Sequence, residues 1–132
     1  MRLAAISLVL AFAGAACSDG PTSVTNGAVR VKREATGIRI DNLTDAPRAY
    51  LAHDPDLLAL ANLSLLSMCL TPDKSCLRLP ARGSVLVQFS EVAGYGSSTK
   101  SIVVWTWRVV ASTTPGEDAY EQIMDEAVTL RL

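Results

Sequence analysis

Apolar and polar residues alternate along most of the chain after residue 27, and this period of two is the feature that most limits the fold. It recurs in segments near residues 29–32, 38–41, 48–52, 85–89 and 127–132. Because side chains of a strand point alternately to its two faces, each segment predicts a half-buried strand. In residues 102–110, both odd- and even-numbered positions carry apolar side chains, so both faces are apolar, which indicates a central strand. Short strands separated by frequent turns predict a mainly β fold, an immunoglobulin-like antiparallel β-sandwich.

Two segments depart from this alternation and predict one or two short helices. Asp54 is a helix-capping residue and Pro55 suits a first turn, and leucines and alanines follow them. Near the C-terminal end, Tyr120, Ile123 and Met124 have the spacing of one helical stripe. We therefore expect a helix at an end of the sandwich and a second one near residue 120.

The first residues have the three parts of a secretory signal. Arg2 gives a positive start, residues 3–13 are apolar, and residues 14–16 are small. The apolar run is too short to span a bilayer, which needs about 20 residues. We predict a cleaved signal peptide at 1–16. The Gly-, Ser- and Thr-rich residues 17–27 predict a flexible tether and residues 28–132 the β-sandwich domain.

Ala16, Cys17, Ser18 and Asp19 resemble the lipobox of bacterial lipoproteins. The resemblance implies that Cys17 is acylated and anchors the chain in the cell envelope, and Ser18 resembles the sorting context of the outer membrane. The alternative is ordinary signal-peptidase cleavage, which gives a soluble periplasmic or secreted protein. With its polar tether and compact domain, the whole chain looks like small lipoproteins of Gram-negative bacteria.

The two remaining cysteines flank a turn sequence. Pro72 and Asp73 suit the centre of a type I turn, and a hairpin closed there places Cys69 opposite Cys76. Opposed residues on antiparallel strands lie within disulfide distance. We therefore predict a disulfide, as befits an exported chain. A zinc site that adds His53 and an aspartate to the two thiols is the weaker alternative, because the ligand spacing fits no known zinc motif. No metal or cofactor is predicted.

Few residues favour catalysis. His53 is the only histidine, and its position before the predicted helix cap favours a structural or surface role. No nucleophile elbow, phosphate-binding glycine loop or metalloprotease motif is present. The acidic residues between 117 and 126 lack the order of a calcium loop and are expected in a solvated loop. We predict that the protein is not an enzyme.

Aromatic residues are the remaining candidate ligand-binding groups. Trp105 and Trp107 are interpreted either as core residues or, together with Tyr95, as a platform that stacks on sugar rings or on a partner's surface. A net charge of −1 argues against nucleic acid as a partner. The expected function is that of a membrane-tethered envelope protein, a binding or structural module, and the alternative is a carbohydrate-binding module. The expected partners are the membrane, through the lipid on Cys17, and another envelope protein or a glycan.

Overall fold

The computed structural model describes residues 22–57, 69–73, 75–116 and 119–132, which form two antiparallel sheets. The strands are β1 (Ser23–Thr25), β2 (Val29–Arg33), β3 (Gly37–Asn42), β4 (Ala49–His53), β5 (Ser84–Gln88), β6 (Ser101–Ala111), β7 (Tyr120–Met124) and β8 (Val128–Arg131). The first sheet has the order β1-β2-β3-β5. The second has the order β4-β6-β7, and β8 pairs with the other half of β6 on the β7 side. A short 3-10 turn, Phe89–Glu91, follows β5.

The main core lies between the sheets and contains the residues that the alternation placed inside. From the first sheet it receives the alternate apolar residues of β2, β3 and β5, and from the second those of β4, β6 and β8. These buried residues include Val29, Val31, Ile38, Ile40, Val87, Ala52, Ile102, Val104, Val128 and Leu130. The prediction of a mainly β sandwich is therefore confirmed, and so is the central position of β6.

Strands β7 and β8 form one long hairpin arm with β6, interrupted by a bulge. Val104 opposes Val128 and Trp107 opposes Met124, so three steps along β6 correspond to four along its partner. The extra residue resets the alternation, which keeps Val128 and Leu130 inside. It also directs Asp125, whose N–H donates to the Thr106 carbonyl at 2.9 Å, toward Arg48.

Three sequence predictions need correction. The segment predicted as a helical stripe is strand β7, because pairing of Tyr120–Met124 with β6 overrides the local spacing. The predicted tether includes β1, which pairs with β2 through Val24 opposite Val31. The hairpin around residues 71–74 is instead a loop in the described residues, with the N–H groups of Cys76 and Leu77 both directed at the Asp73 carbonyl.

Other predictions concern residues that the structure does not describe. The predicted signal peptide and Cys17 lie outside the described residues, and so do residues 58–68, which hold the body of the helix expected after Asp54. Within the described ranges, no helix is long and apolar enough to cross a membrane.

Candidate functional site

The outer face of the second sheet carries a second apolar cluster, separate from the main core. Ala49 opposes Trp107 across β4 and β6, and Leu51 opposes Trp105. We call this the outer cluster. It consists of buried Ala49, Cys69 and Trp107, with half-buried Leu51, Cys76, Leu77, Trp105 and Val109 around them. Trp107 is only 2% exposed, although it points away from the space between the sheets.

A disulfide loop covers Trp107. Cys69 and Cys76 are bonded, with their Cα atoms 5.5 Å apart, which confirms the predicted pairing. The indole N–H of Trp107 donates to the carbonyl of Cys69 at 3.2 Å. Because a buried indole N–H needs an acceptor, this hydrogen bond and the disulfide together fix the loop on the face of β6.

The neighbouring Trp105 is tied to the only histidine. Its indole N–H, which can only donate, lies 2.9 Å from Nε2 of His53. Nε2 is therefore the accepting nitrogen, and the proton resides on Nδ1, which lies 2.7 Å from the carbonyl oxygen of Asp54. His53 is 1% exposed, and both of its ring nitrogens are used in these contacts.

Asp54 closes the end of β4. Its carboxylate accepts hydrogen bonds from the Thr99 hydroxyl and from the N–H of Asp56, at 2.8 Å in the latter case. These two bonds, the Thr99 bond foremost, lower the pKa of Asp54 below its ordinary value. The Asp54 N–H donates to the Ala93 carbonyl at 2.8 Å, which fixes the loop after β5 against this strand end.

A buried ion pair lies at the opposite end of β4. Arg48 Nε is 2.7 Å from Asp125 Oδ2, and the same oxygen accepts a hydrogen bond from the Thr106 hydroxyl at 2.7 Å. Arg48 also donates to the Thr44 hydroxyl and to the carbonyl of Ala46. Asp125 was expected in a solvated acidic loop. The bulge brings it instead to a buried arginine, so that part of the prediction is wrong.

An open hollow of about 250 Å³ lies between β4 and the disulfide loop. Its walls are formed by Ala49, Tyr50, Leu51, Cys69, Ser75, Cys76, Arg78 and Trp107. The guanidinium of Arg78 is 4.7 Å from the centre of the Tyr50 ring, a cation–π contact. In the part of the chain that the structure describes, Arg78 has no carboxylate within ion-pair distance. A smaller hollow of about 90 Å³ lies along the same strand edge and shares Tyr50, Leu51 and Arg78.

The aromatic residues singled out from the sequence do not form one exposed platform. Trp107 is buried under the disulfide loop, and Trp105 is half-buried against His53. Tyr95 stacks on Phe89, with 4.9 Å between ring centroids and an angle of 9° between planes. The proposed use of Trp107 in sugar stacking is therefore wrong, because the ring has no open face.

The alternative of a zinc site built on Cys69, Cys76 and His53 is also wrong. The two sulfurs are bonded to each other and both His53 nitrogens have partners. Within the described ranges, no three potential metal ligands lie together.

Sequence reasoning missed Arg78 and Tyr50. They meet because Arg48 and Leu79 exchange backbone hydrogen bonds of 2.9 and 3.0 Å, which brings the chain after the disulfide beside β4. No local pattern in the sequence predicts that bridge. No family model matches this chain, and neither a curated protein nor a solved structure matches it significantly. The geometry alone must therefore indicate the function.

Proposed function

We propose that this protein is an exported, lipid-anchored β-sandwich that binds another envelope protein through the hollow beside the disulfide loop and catalyses no reaction. The anchor rests on the signal sequence and on Cys17 in its lipobox-like setting. The disulfide between Cys69 and Cys76 supports export, because such bonds persist in oxidising compartments. Attachment would hold the domain close to the membrane surface. The context of Ser18 favours the outer membrane as the site of attachment.

Binding is favoured over chemistry because two groups suited to catalysis, His53 and Asp125, are already used in the fold. His53 exchanges hydrogen bonds with Trp105 and the Asp54 backbone, and Asp125 is paired with Arg48. A general base needs a nitrogen or oxygen within reach of a substrate proton. The hollow beside the disulfide loop, in contrast, is open to a ligand.

The hollow carries the proposal, because its walls specify a ligand chemistry. Leu51 and the disulfide offer apolar surface beside the buried Trp107, whereas Arg78 supplies a cation at one wall and Ser75 a hydroxyl group. Arginine binds carboxylates through its planar fork of N–H donors. A volume of about 250 Å³ is smaller than most drug-sized pockets. The ligand is therefore an apolar side chain next to a carboxylate, such as the C-terminus of an envelope protein.

Titration with N-acetyl-leucine and with its neutral amide tests this directly, with tryptophan fluorescence as the signal. We expect the acid to bind the oxidised, full mature protein and the amide to bind far more weakly. Arg78→Gln should weaken binding of the acid about tenfold or more, since a hydrogen bond to a charged group is worth about 1.5–3 kcal/mol. Arg33→Gln, at an exposed arginine on the first sheet, is the matched control and should change nothing.

Equal binding of acid and amide, or no binding of either, would contradict the proposal. The carbohydrate-binding alternative is tested in the same way with soluble cell-wall glycan fragments. A fluorescence response to glycans that Arg78→Gln leaves intact would favour that alternative, because sugar rings stack on aromatic faces and do not need a cation.

A further inference from the structure

Strand β7 is an open edge of the second sheet. It pairs only with β6, and no described strand lies on its other side. The Asp125 N–H donates to Thr106 and the Ala119 carbonyl accepts from Ser112, so the odd-numbered residues direct their backbone groups at β6. In an antiparallel ladder the alternate residues then face away from the partner strand. Tyr120, Gln122 and Met124 therefore direct their N–H and C=O groups outward.

The other edge of this sheet is protected. One end of β4 is bridged to Leu79 and the other to Ala93. Natural sheets protect exposed edges with lysine, proline, bulges or covering loops. The sequence of β7, YEQIM, contains neither lysine nor proline, and the bulge lies beyond its last residue, Met124. An edge left open in this way is a template for pairing with another strand.

Exposed apolar side chains concentrate at the same edge. Tyr120, Ile123 and Met124 belong to β7, and Leu70 lies beside it because its carbonyl is 3.5 Å from the Gln122 amide. These four are 37 to 52% exposed and make up four of the six large apolar residues that are exposed in the described ranges. Clustered exposed apolar residues mark interaction surfaces more often than scattered ones do.

We propose that β7 pairs antiparallel with β7 of a second copy of this chain, so that two second sheets join into one. A twofold axis through Gln122 places Tyr120 opposite Met124 of the second copy and Glu121 opposite Ile123 of the second copy. Twofold interfaces use the same patch on both subunits and must therefore be self-complementary. This register meets that condition, because it never sets Glu121 against itself.

Charge complementarity selects a second copy as the partner. Arg108 of β6 lies opposite Ile123 and has no ion-pair partner among the described residues. In the paired sheet, Glu121 of the second copy falls in the same row, one strand beyond Ile123. The Cα atoms of two such residues are about 10 Å apart, within reach of a salt bridge between two long side chains. The symmetry makes this contact twice.

The pairing is independent of the proposed ligand site, because β4 and β7 lie at opposite edges of the second sheet. Position-specific crosslinking of the full chain in membranes of an expressing Gram-negative host tests it. Gln122→Cys should give a reducible species of twice the mass, since only residue 122 faces its own counterpart. Glu121→Cys and the exposed control Thr129→Cys should give far less, because neither faces itself in this register.

A charge swap tests the same register through the contact between Arg108 and Glu121 of the second copy. In the Gln122→Cys background, Glu121→Arg or Arg108→Glu alone should reduce crosslinking several-fold, and the two together should restore it. Crosslinking of Gln122→Cys no greater than that of Thr129→Cys would overturn the proposal. Equal crosslinking at residues 121 and 122 would overturn it too, as would single charge variants that crosslink as well as their parent.

Discussion

The outer faces of the two sheets differ in almost every respect. On the first sheet, Arg30 and Lys32 of β2 lie near Asp41 of β3, at 3.9 and 3.5 Å, and Arg39 is bonded to Glu34. On the second sheet, the outer cluster is apolar and lies under a disulfide loop. The outer face of the first sheet carries charged side chains and is exposed to water. The outer face of the second sheet buries Trp107 on the side away from the main core.

The difference follows from the strands themselves. Strands β2 and β3 alternate apolar and charged residues, so one face suffices for burial and the other faces water. Strand β6 is apolar at both parities and therefore needs a cover on each face. The first sheet covers one face, and the disulfide loop covers the other. The hollow lies where the disulfide loop meets β4. The candidate site therefore exists because β6 needs this loop to cover its outer face.

Truncating one apolar side chain on each outer face should give the largest contrast. Trp107→Ala should lower the free energy of unfolding by about 3–5 kcal/mol, because it empties a buried site. Leu86→Ala, on the first sheet and 38% exposed, should cost less than about 1 kcal/mol. Urea unfolding of both variants measures the two values. Similar losses would show that the outer faces do not differ as described.

Removing the disulfide should have an intermediate effect confined to the second face. The paired replacement Cys69→Ser with Cys76→Ser should cost roughly 2.5 kcal/mol by the loop-entropy estimate for an eight-residue loop. It should also shift the tryptophan emission to longer wavelength, because Trp107 loses its cover. Melting and emission spectra, compared with those of the reduced native protein, measure both effects. A melt and spectrum unchanged from those of the oxidised protein would contradict the role of the loop.

The smallest expected effect is on the pH dependence of stability. The pKa of Asp54 is lowered by the Thr99 and Asp56 hydrogen bonds, and that of Glu34 mainly by the Arg39 hydrogen bond. A carboxyl group whose pKa is lower in the folded state stabilises the native protein at pH values above its ordinary pKa, which is near 4. That contribution is lost as the pH falls through the folded-state value. In Asp54→Asn and in Glu34→Gln, the melting temperature should therefore decrease less steeply as the pH falls into the acid range.

Salt distinguishes the two carboxylates. The Glu34 contribution should shrink in high salt, because it includes an ion pair at the surface. The Asp54 contribution comes mainly from a hydroxyl and a backbone N–H and should persist. Melting temperatures between pH 2 and 7, at low and high salt, check this. An acid limb that stays unchanged in Asp54→Asn would contradict the assigned cause.

Most of the strands, the main core and the cysteine pair could be predicted from the sequence because alternation and turn residues are local signals. Strand β7 could not, since the spacing of Tyr120, Ile123 and Met124 fits a helix and only pairing with β6 decides otherwise. The cysteine pairing was correct although the hairpin used to derive it was not. Contacts such as Arg48 with Asp125, 77 residues apart, have no local signature.

The intact mass of the protein extracted from membranes of an expressing Gram-negative host most directly tests whether it is an anchored, exported domain. It should be measured with thiol alkylation before and after reduction. We expect a mass that begins at Cys17 with acyl chains added, and alkylation of Cys69 and Cys76 only after reduction. A mass that retains residues 1–16, with both cysteines alkylated without reduction, would contradict the proposal.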